Sequence, residues 1–368
     1  MSQVIDTSEK RFEQDIEAFL LSPEGGYKKG NQIYYDKAKA IDMTTLLAFL
    51  RNTQPRAWDR YNKLYEKDAE KALYQRFSAE VEEKGLLSVL RNGINDRGIK
   101  LNFAYFAPSF SLNDDTVRLY ESNIFEIVRQ FSYSSRNRNT IDMVLMLNGI
   151  PIVAIELKNQ LTGQCVQDGI KQWKEDRDPR ELIFQFDKRI LVYFAVDLYE
   201  VYMTTQLKEE RTYFLPFNQG TNGAGNIGGA GNPNNLDGYS TSYLWERILQ
   251  KDNLMKILHK YMNRQKKVNT EIINGRKETK TSESLIFPRY HQLDVVEKII
   301  DDVQTYGCGK NYLIQHSAGS GKSNSIAWLT YRLATLYNQY DENIFNSVFV
   351  VTDRRHINKL LLDVITGI

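Results

Sequence analysis

Two apolar segments joined by the dipeptide Asn148-Gly149 constrain the fold of this chain more than any other feature of its sequence. Residues 141–158 read IDMVLMLNGIPIVAIELK. Asn-Gly strongly favours a two-residue turn between antiparallel strands, because both residues tolerate the positive φ angles that such a turn requires. The segment therefore predicts a β-hairpin, with strands over residues 140–147 and 151–156. Both strands are apolar almost throughout, which predicts a position in the interior of a sheet.

Three charged residues interrupt this apolar hairpin, and they are predicted to lie at the same end of it. Residues two apart on a strand point to the same side, so Glu156 and Lys158 share a face. The antiparallel return of the chain brings Asp142, near the outer end of its own strand, to that end of the sheet. The alternative is a solvated hairpin end, at which Glu156 and Lys158 pair across a wet edge.

This group of charges has a chemical rationale as a phosphodiesterase site. Neighbouring carboxylates such as Asp142 and Glu156 bind Mg²⁺ through oxygen, and the metal offsets the repulsion between them. Lys158 can orient or help to deprotonate an attacking water and stabilise a pentacoordinate phosphate. The sequence therefore predicts Mg²⁺ at Asp142 and Glu156, with hydrolysis of a phosphodiester bond as the reaction.

Length and composition are those of an ordinary globular protein with more than one domain. The chain has 368 residues, and its 48 Lys and Arg nearly balance 46 Asp and Glu, for a net charge of +2. That balance neither supports nor excludes a nucleic-acid partner. Cys165 and Cys308 lack partners at metal-ligand spacing, and the sequence has no signal peptide and no apolar run of about 18 residues. We therefore expect reduced thiols, a cytoplasmic location and no membrane partner.

The composition changes at two places and divides the chain into predicted domains. Residues 218–238 are rich in Gly and Asn, which predicts a long surface loop rather than a phosphate cradle, because phosphate-binding glycines lie between a strand and a helix. Residues 263–284 have the composition of a linker or an exposed hairpin, and a helical stretch over 242–262 precedes them. The predicted domains are 1–235, a linker with a bridging helix over 236–283, and 284–368.

Periodicity predicts an α/β sheet of mixed strand direction in the first of these domains. Helices are expected over residues 8–21, across 43–83 and over 165–176. Further strands, besides those of the hairpin, are expected over 102–106, 123–133 and 189–196. The order of helix, strands, helix and strand indicates an α/β sheet of mixed direction.

The segment QHSAGSGKSNSIAWL, residues 315–329, is the strongest functional motif of the chain. The apolar stretch NYLIQ is predicted to be the strand that leads into it, and SIAWLTYRLATLY the helix that follows. Backbone N–H groups of such a loop and of a helix N-terminus bind phosphate oxygens, a Lys contacts the β- and γ-phosphates, and a Ser hydroxyl binds Mg²⁺. His316 stands where the full pattern has Gly. The predicted ATP-binding residues of the loop are Gly319, Ser320, Gly321, Lys322 and Ser323.

Two flanking segments resemble motifs of superfamily 2 helicases. IFPRYHQLDVVEKI places Arg289 and Gln292 at a predicted helix start, as in the Q motif that senses adenine, although a Gln at a helix start is also a frequent structural coincidence. NSVFVVTDRRHINKLL, residues 346–361, is predicted to be a buried strand that ends in a polar loop. Its resemblance to motif Ia implies that Thr352, Arg354 and Arg355 line a DNA track.

The charged hairpin resembles a known nuclease superfamily. Asp142, then Glu156-Leu157-Lys158, with an acidic N-terminal helix ahead of them, is similar to the PD-(D/E)xK superfamily, and AIELKNQ to its branch in type I restriction enzymes. The resemblance implies a further acidic residue on the first helix, at Glu13 or Glu17, of which Glu13 is the catalytic candidate. It also implies a Gln-x-x-x-Tyr element, for which Gln172 is the best match. This sequence departs from that element, since Asp176 occupies the Tyr position and Trp173 follows the Gln.

Segments along the rest of the chain resemble the restriction (R) subunit of a type I restriction-modification enzyme. They are FLPFNQG, GNPNNLDGYSTSYLWERILQKDNL, FPRYHQ and QHSAGSGKS. The resemblance implies an α/β chain in which a PD-(D/E)xK nuclease domain precedes the start of a RecA-like, parallel-sheet motor. It further implies Mg²⁺-dependent double-strand cleavage of unmodified DNA coupled to ATP-driven translocation, in a bacterial cytoplasmic complex with methylation (M) and specificity (S) subunits.

An acidic Walker B element and a second motor lobe are expected downstream of this sequence. We therefore expect the N-terminal part of a longer protein, which does not hydrolyse ATP alone. Two alternatives stay open. The first is a DNA-repair helicase-nuclease without a methylase partner, which the gene neighbourhood would distinguish. The second is a docking or DNA-binding module, against which metal-dependent nicking of plasmid by the isolated chain would argue.

Overall fold

The computed structural model describes residues 9–108, 114–273, 276–317, 319–338, 340 and 342–352, with the backbone alone for residues 162 and 267–280. The helices in chain order are α1 Glu9–Leu20, α2 Met43–Thr53, α3 Pro55–Tyr65, α4 Ala69–Lys84, α5 Leu86–Asn92, α6 Asp114–Glu121, α7 Val166–Glu175, α8 Lys251–Lys260, α9 Tyr290–Tyr306 and α10 Lys322–Ala334. Short 3₁₀ turns lie at Glu66–Asp68, Gln160–Thr162 and Leu182–Phe184, and a π-helical turn at Leu244–Ile248.

The strands in chain order are β1 Lys28–Lys29, β2 Tyr35–Asp36, β3 Ile41–Asp42, β4 Ile94–Asp96, β5 Ile99–Leu101, β6 Phe125–Ser132, β7 Thr140–Leu147, β8 Ile150–Leu157, β9 Val192–Val196, β10 Val201–Thr204, β11 Leu215–Pro216, β12 Asn263–Ile273 and β13 Arg276–Ile286. Seven of them form one sheet in the order β1-β6-β7-β8-β9-β10-β11. Strands β1 and β6 pair in parallel, as do β8 and β9, and the other neighbours pair antiparallel. The predicted α/β sheet of mixed direction is confirmed.

The predicted hairpin lies in the middle of this sheet as β7 and β8. Its turn has the backbone form that Asn-Gly favours, with φ of +52° at Asn148 and +81° at Gly149. The Asn148 side chain is buried and accepts from the backbone N–H of Ile124 at 2.7 Å while donating to the carbonyl oxygen of Phe103 at 2.8 Å. The register shifts between Leu145 and Met146, opposite Pro151, which has no N–H to give to the ladder.

Both faces of the hairpin are covered, which explains why its strands are apolar at consecutive positions rather than alternate ones. Met143 and Leu145 belong to a large hydrophobic cluster with the helices α1 to α5. Val144 and Met146 belong to a second cluster on the other face, which contains Trp173 of α7. Helix α7 connects the parallel strands β8 and β9, and therefore packs beside the end of β8 where the charged residues lie.

Several sequence predictions differ from the structure at their boundaries. The strand expected over residues 102–106 is wrong, because the strand in that region is β5, which ends at Leu101 and pairs with β4 instead. The helix expected over 242–262 is interrupted at Gln250, whose side chain accepts from the backbone N–H of Asn253 at 3.1 Å and starts α8 anew. Residues 218–238 form turns without helix or strand, as predicted, and residues 263–273 and 276–286 pair as the antiparallel strands β12 and β13.

The expected start of a RecA-like sheet is the part of the predicted fold that the structure does not show. Helices α9 and α10 are present, but the segments 311–315 and 346–352 contain no strand. Leu313 is 95% exposed and Phe349 is 88% exposed. A parallel strand needs hydrogen-bonded neighbours and layers on both faces. In the part of the chain that the structure describes, neither segment has a paired strand.

No helix among the described residues is both long enough and apolar enough to cross a membrane.

The turn of the central hairpin generates a stability prediction. A methyl group at Gly149 would overlap the backbone carbonyl oxygen of Asp42. The alanine would also have to keep the left-handed backbone conformation of this position, which L residues rarely adopt. Gly98 has almost the same φ of +80° with open space around it, so it is a matched control. We expect Gly98→Ala to lower the free energy of unfolding in urea by about 1 kcal/mol and Gly149→Ala by about 3 kcal/mol or more. Equal losses for the two variants would contradict this account of the turn.

Candidate functional site

The structure brings Asp142 and Glu156 together at one end of the central hairpin. Strand β7 pairs with β8 so that Met143 lies across from Ile155, and the next position outward places Asp142 across from Glu156. Both carboxylates are buried, with exposed fractions of 7% and 0%. Asp142 Oδ2 accepts from the backbone N–H of Leu157 at 2.7 Å, which fixes the carboxylate against the end of β8.

Glu156 is held by a buried arginine that sequence reasoning missed. Arg177 Nε donates to Glu156 Oε1 at 3.1 Å, and Nη2 of the same guanidinium contacts that oxygen too. The other oxygen, Oε2, is buried and has no hydrogen-bond partner among the described residues. Burial, and next the charge of Asp142, raise the pKa of Glu156 well above its ordinary value, while Arg177 opposes the rise. The carboxyl group is therefore tied at one oxygen and unsatisfied at the other.

Helix α1 contributes two further carboxylates to the same place. Glu9 and Glu13 lie one turn apart and so share a face of the helix. One carboxylate oxygen of each, together with one of Asp142, lies within 4.8 Å of the other two. Burial raises the pKa of Glu13, and the charge of Asp142 adds to the rise, whereas the hydrogen bond from Arg129 opposes it. This trio is the group of acidic residues in the described part of the chain that could share a metal ion.

Glu17, the other residue considered from the sequence, lies in an ion-pair cluster behind the trio. Arg129 Nη1 donates to Glu17 at 2.9 Å, and Lys29 lies 3.7 Å from the same carboxylate. Arg129 also donates through Nε to Glu13 Oε2 at 2.9 Å. The structure therefore places Glu13, and not Glu17, beside Asp142. Glu9 was missed, although its position one turn before Glu13 on an acidic helix is a signal in the sequence.

Gln130 joins the two halves of the site. Its side-chain amide donates to Glu13 Oε1 at 2.7 Å and to Asp142 Oδ1 at 3.2 Å, and its own carbonyl oxygen accepts from Thr140 Oγ1 at 2.9 Å. Gln130 has a φ of +50°, and the paired positions of β6 and β7 pass from Arg129 to Phe131 without it. This local departure from the β6–β7 pairing turns the Gln130 side chain toward the carboxylates, and no sequence pattern predicts it.

Lys158 lies between α1 and α7, directly after β8. Its side chain is 6% exposed and packs near Gly169, and its backbone N–H donates to the carbonyl oxygen of Val196 at 2.8 Å. Burial raises the pKa of Glu9, and the positive charge of Lys158 opposes that rise. The backbone N–H of Cys165 chiefly lowers the pKa of Asp168, and Lys158 adds to the decrease. The ammonium is therefore close enough to act on the charges around the carboxylate trio.

Gln172 lies on α7, and its expected role stays a prediction. The side chain is half-buried, and among the described residues it forms no hydrogen bond to Asp142, Glu156 or Lys158. Trp173, by contrast, is a core residue that donates through Nε1 to the carbonyl oxygen of Phe194 at 3.0 Å. Asp176 ends the helix, and its backbone N–H donates to the carbonyl oxygen of Gln172 at 3.0 Å.

The glycine loop leads into α10 as expected. Gly319 and Gly321 have φ of +73° and +83°, and Gly321 is the N-cap residue of the helix, which begins at Lys322. Lys322 Nζ donates to the backbone carbonyl oxygens of His316 at 3.1 Å and Ser317 at 2.9 Å. The Lys322 ammonium thus contacts backbone oxygens of the same loop with which it was predicted to bind phosphate. Ser320 is buried and Ser323 half-buried beside it.

The start of α9 contacts this loop directly. Gln292 is buried and donates through Nε2 to the carbonyl oxygens of Gly321 at 2.9 Å and Ser320 at 3.2 Å. Its own carbonyl oxygen accepts from the backbone N–H of Arg289 at 2.8 Å, which caps the helix. A cavity of 280 Å³ is lined by the loop, by Arg289 and Gln292, and by the edge of the main sheet near Thr204. The two predicted parts of the ATP site are therefore neighbours.

The predicted DNA-track residues are only partly described. Thr352 is half-buried at the end of the irregular segment 346–352. Arg354 and Arg355 lie outside the described residues.

Together, the mixed sheet, the acidic helix and the carboxylates at the end of a buried hairpin are consistent with the PD-(D/E)xK nuclease fold expected from the sequence. Residues 13–212 match the family model described as "Type I restriction enzyme R protein N terminus". The chain belongs to this family. The match includes Glu13, Asp142, Glu156, Lys158 and Gln172, while the glycine loop lies outside it.

A curated relative supports the same assignment. It is a protein of Methanocaldococcus jannaschii, provisionally named type I restriction enzyme MjaVIIIP endonuclease subunit. The two sequences are 23% identical over 244 residues, which is 64% of this chain and 20% of the relative. This chain therefore spans only a minor part of the length of that protein. The predicted resemblance to the R subunit of type I restriction enzymes is confirmed at the level of the family.

The Arg177–Glu156 pair generates a prediction about stability and pH. Arg177→Met leaves a buried carboxylate without its counterion, so we expect a loss of about 3–5 kcal/mol in the free energy of unfolding at pH 8. Because the pKa of Glu156 is raised, the folded chain without Arg177 gains a proton as the pH falls, and the loss shrinks at pH 5. Urea unfolding of the variant at the two pH values measures this difference.

Arg180→Met is the matched control, since Arg180 is exposed and water screens its pair with Asp178, so little change in stability is expected. The double variant Arg177→Met/Glu156→Met removes both charges and is expected to recover most of the stability. A loss of the same size at pH 5 and pH 8, without recovery in the double variant, would contradict the buried ion pair as its cause.

Proposed function

We propose that this chain carries the endonuclease site of a type I R subunit and cleaves phosphodiester bonds of double-stranded DNA with Mg²⁺. The observation that carries the proposal is the convergence of Glu9, Glu13, Asp142 and Glu156, with Lys158, at one end of two buried strands. Membership of the R-protein family and the provisional name of the relative support the same reaction class.

The donor set fits a hard divalent cation. Carboxylate oxygens are the ligands that Mg²⁺ prefers. Burial, and to a smaller extent the charge of Asp142, raises the pKa values of Glu9, Glu13 and Glu156, so a cation at this place would favour their charged forms. The unpartnered Oε2 of Glu156 is a further available donor atom. We therefore assign the metal to Asp142 and the α1 carboxylates, with Glu156 supplying Oε2 alone because Arg177 holds its other oxygen.

Each residue of the site has a separate task in this proposal. A bound Mg²⁺ would polarise the scissile phosphate and lower the pKa of the attacking water. Lys158 stabilises the negative charge that develops on the phosphate and orients the water. Gln130 keeps Glu13 and Asp142 at a fixed separation through its two hydrogen bonds. Gln172 is a further candidate on α7, the helix that packs beside β8.

We further propose that the glycine loop binds ATP with Mg²⁺. Lys322 would exchange the carbonyl oxygens of His316 and Ser317 for the β- and γ-phosphates, and Ser323 would contact the metal. Arg289 and Gln292 would contact adenine at the adjoining cavity. A motor domain that begins near residue 284 and lines a DNA track with Thr352, Arg354 and Arg355 rests on the resemblance alone.

The biological setting is proposed on the same grounds. The R subunit would act in the cytoplasm of a bacterium within a complex that also contains M and S subunits, and would cut unmodified DNA while its motor translocates the duplex. Support comes from the family and from the name of the relative. The domain limits of 1–235, 236–283 and 284–368 belong to this proposal.

The two sites are expected to be separable in the complete R–M–S enzyme. Asp142→Ala or Lys158→Ala removes the cutting chemistry and should reduce DNA cleavage by at least about 10³-fold without changing ATP hydrolysis. Lys322→Ala should stop both activities, because cutting depends on ATP-driven delivery of DNA. Cleavage of circular plasmid and release of phosphate measure the two activities. Unimpaired cleavage by Lys158→Ala would contradict the role assigned to Lys158. Unimpaired cleavage by Asp142→Ala would likewise contradict the metal site.

Metal binding has a readout that does not depend on cleavage. We expect Mg²⁺ to raise the melting temperature of this chain. At a Mg²⁺ concentration of ten times the Kd, the free energy of unfolding should rise by about 1.4 kcal/mol. The raised pKa values of Glu9 and Glu13 mean that the metal-free fold is favoured below about pH 4.5 and loses stability as the pH rises through those pKa values. Mg²⁺ removes that penalty, so its effect should grow between pH 5 and pH 8.

The variant Asp142→Asn should abolish the Mg²⁺ effect, and Glu83→Gln, an exposed position on α4, is the matched control. A Mg²⁺ effect that survives in Asp142→Asn would show that the metal binds elsewhere.

A further inference from the structure

We propose that the exposed loop of residues 135–139, hereafter the β6–β7 loop, is a binding surface for the phosphate backbone of duplex DNA through Arg136 and Arg138. This inference rests on the proposed function, because it assigns the way in which DNA is held beside the candidate site. The loop reads SRNRN, and every one of its residues is exposed. Neither arginine belongs to a motif singled out in the sequence, and neither takes part in the chemistry proposed for the carboxylates.

Both ends of the loop are fixed next to the site. At its far end, Arg177 Nη2 donates to the carbonyl oxygen of Thr140 at 2.7 Å, and the same guanidinium holds Glu156. At its near end, Lys37 Nζ donates to Ser132 Oγ at 2.7 Å and to the carbonyl oxygen of Ser134 at 3.0 Å. The arginines therefore lie on a short exposed segment that is held at one end by a residue of the site and at the other by Lys37, in the turn between β2 and β3.

The charges of the loop are available for a ligand. In the described part of the chain, neither Arg136 nor Arg138 forms an ion pair or a side-chain hydrogen bond. Asp178, whose pKa is lowered chiefly by Arg180 and slightly by Arg136, already accepts from Arg180 through Nε at 2.9 Å and Nη2 at 2.9 Å. The adjoining carboxylates of the site repel a polyanion, so cations at the rim are needed to hold DNA in place.

The distances suit phosphates that flank the reacting one. Arg138 lies two residues before the start of β7 and four before Asp142, so at most about 13 Å of extended chain separates the two residues. A DNA strand advances about 3.4 Å along the helix axis per nucleotide. This span corresponds to a few nucleotides, so Arg136 and Arg138 are within reach of phosphates that flank the bond at Asp142. Arg136 and Arg138 are positioning residues, and they are expected to affect binding rather than the chemical step.

Binding of a fluorescent 20-base-pair duplex to this chain, in EDTA so that no cleavage occurs, tests the inference. The double variant Arg136→Ala/Arg138→Ala should weaken binding several-fold, by the same factor for unrelated sequences. The slope of log K against log salt should fall in magnitude by about 2, since two phosphate contacts are lost. Arg136→Lys/Arg138→Lys should keep most of the slope because it keeps the charges.

The matched control is Arg56→Ala/Arg60→Ala, which removes two exposed charges from α3. An unchanged Kd and salt slope in the loop variant, an equal loss in the α3 control, or no binding by the wild-type chain would overturn the inference. The proposed nuclease is tested separately by Asp142→Ala with Mg²⁺. Cleavage that depends on Asp142 with unaltered binding by the loop variant rejects only the loop, whereas loop-dependent binding without Asp142-dependent cleavage rejects only the nuclease.

Discussion

The burial of charge at the end of the central hairpin is the constraint on which the candidate site depends. Strands β7 and β8 are covered on both faces, so a carboxylate at their ends has little contact with water. Isolated charges in such surroundings are strongly disfavoured, and each must be compensated by a partner. Glu156 has Arg177, and Asp142 has the backbone N–H of Leu157 and the amide of Gln130. The compensation is incomplete, which is the condition under which a cation would bind.

The same reasoning explains the architecture around the hairpin. Helix α1 packs on one face of the sheet through Phe12 and Ile16, and its acidic face is thereby directed to the strand ends. Helix α7 packs on the other face through Trp173, whose ring lies 5.7 Å from the guanidinium of Arg177. The charged residues are therefore contributed by separate segments that the hydrophobic core holds in register. A change in the core would move the site, although no core residue belongs to it.

The sequence predicted the parts of this arrangement that follow from local patterns. The Asn148-Gly149 turn and the alternation of faces along a strand were sufficient for Asp142 and Glu156 to be expected near each other, whereas Glu13 was implied by the resemblance to the nuclease superfamily. Arg177 could not be predicted, because its partner is 21 residues away and no periodicity connects them. Gln130 depends on a positive φ that only the assembled sheet reveals. Glu9 could have been found by extending the spacing of Glu13 back by one helical turn.

The failure of the predicted motor strands has a different physical cause. An apolar run such as 311–315 is compatible with a buried strand, but pairing is a property of two segments and not of one. The glycine loop depends mainly on local backbone conformation at Gly319 and Gly321, and a loop followed by a helix was predicted here, although α10 begins at Lys322 rather than at Ser325. The contact between this loop and Gln292 was not predicted, because the resemblance to the Q motif implied a role for Gln292 in sensing adenine and not a bond to the loop. Local conformation could thus be read from the sequence, whereas strand partners could not.

The central claim is that the carboxylates at the end of β7 and β8 form a divalent metal site. Diffraction from crystals of this chain soaked in Mn²⁺, recorded for anomalous scattering, tests it most directly, because Mn²⁺ shares the oxygen preference of Mg²⁺. We predict an anomalous peak within about 2.6 Å of carboxylate oxygens of Asp142 and at least one of Glu9 and Glu13. Mn²⁺ bound elsewhere on the chain, with no peak beside Asp142, would contradict the account.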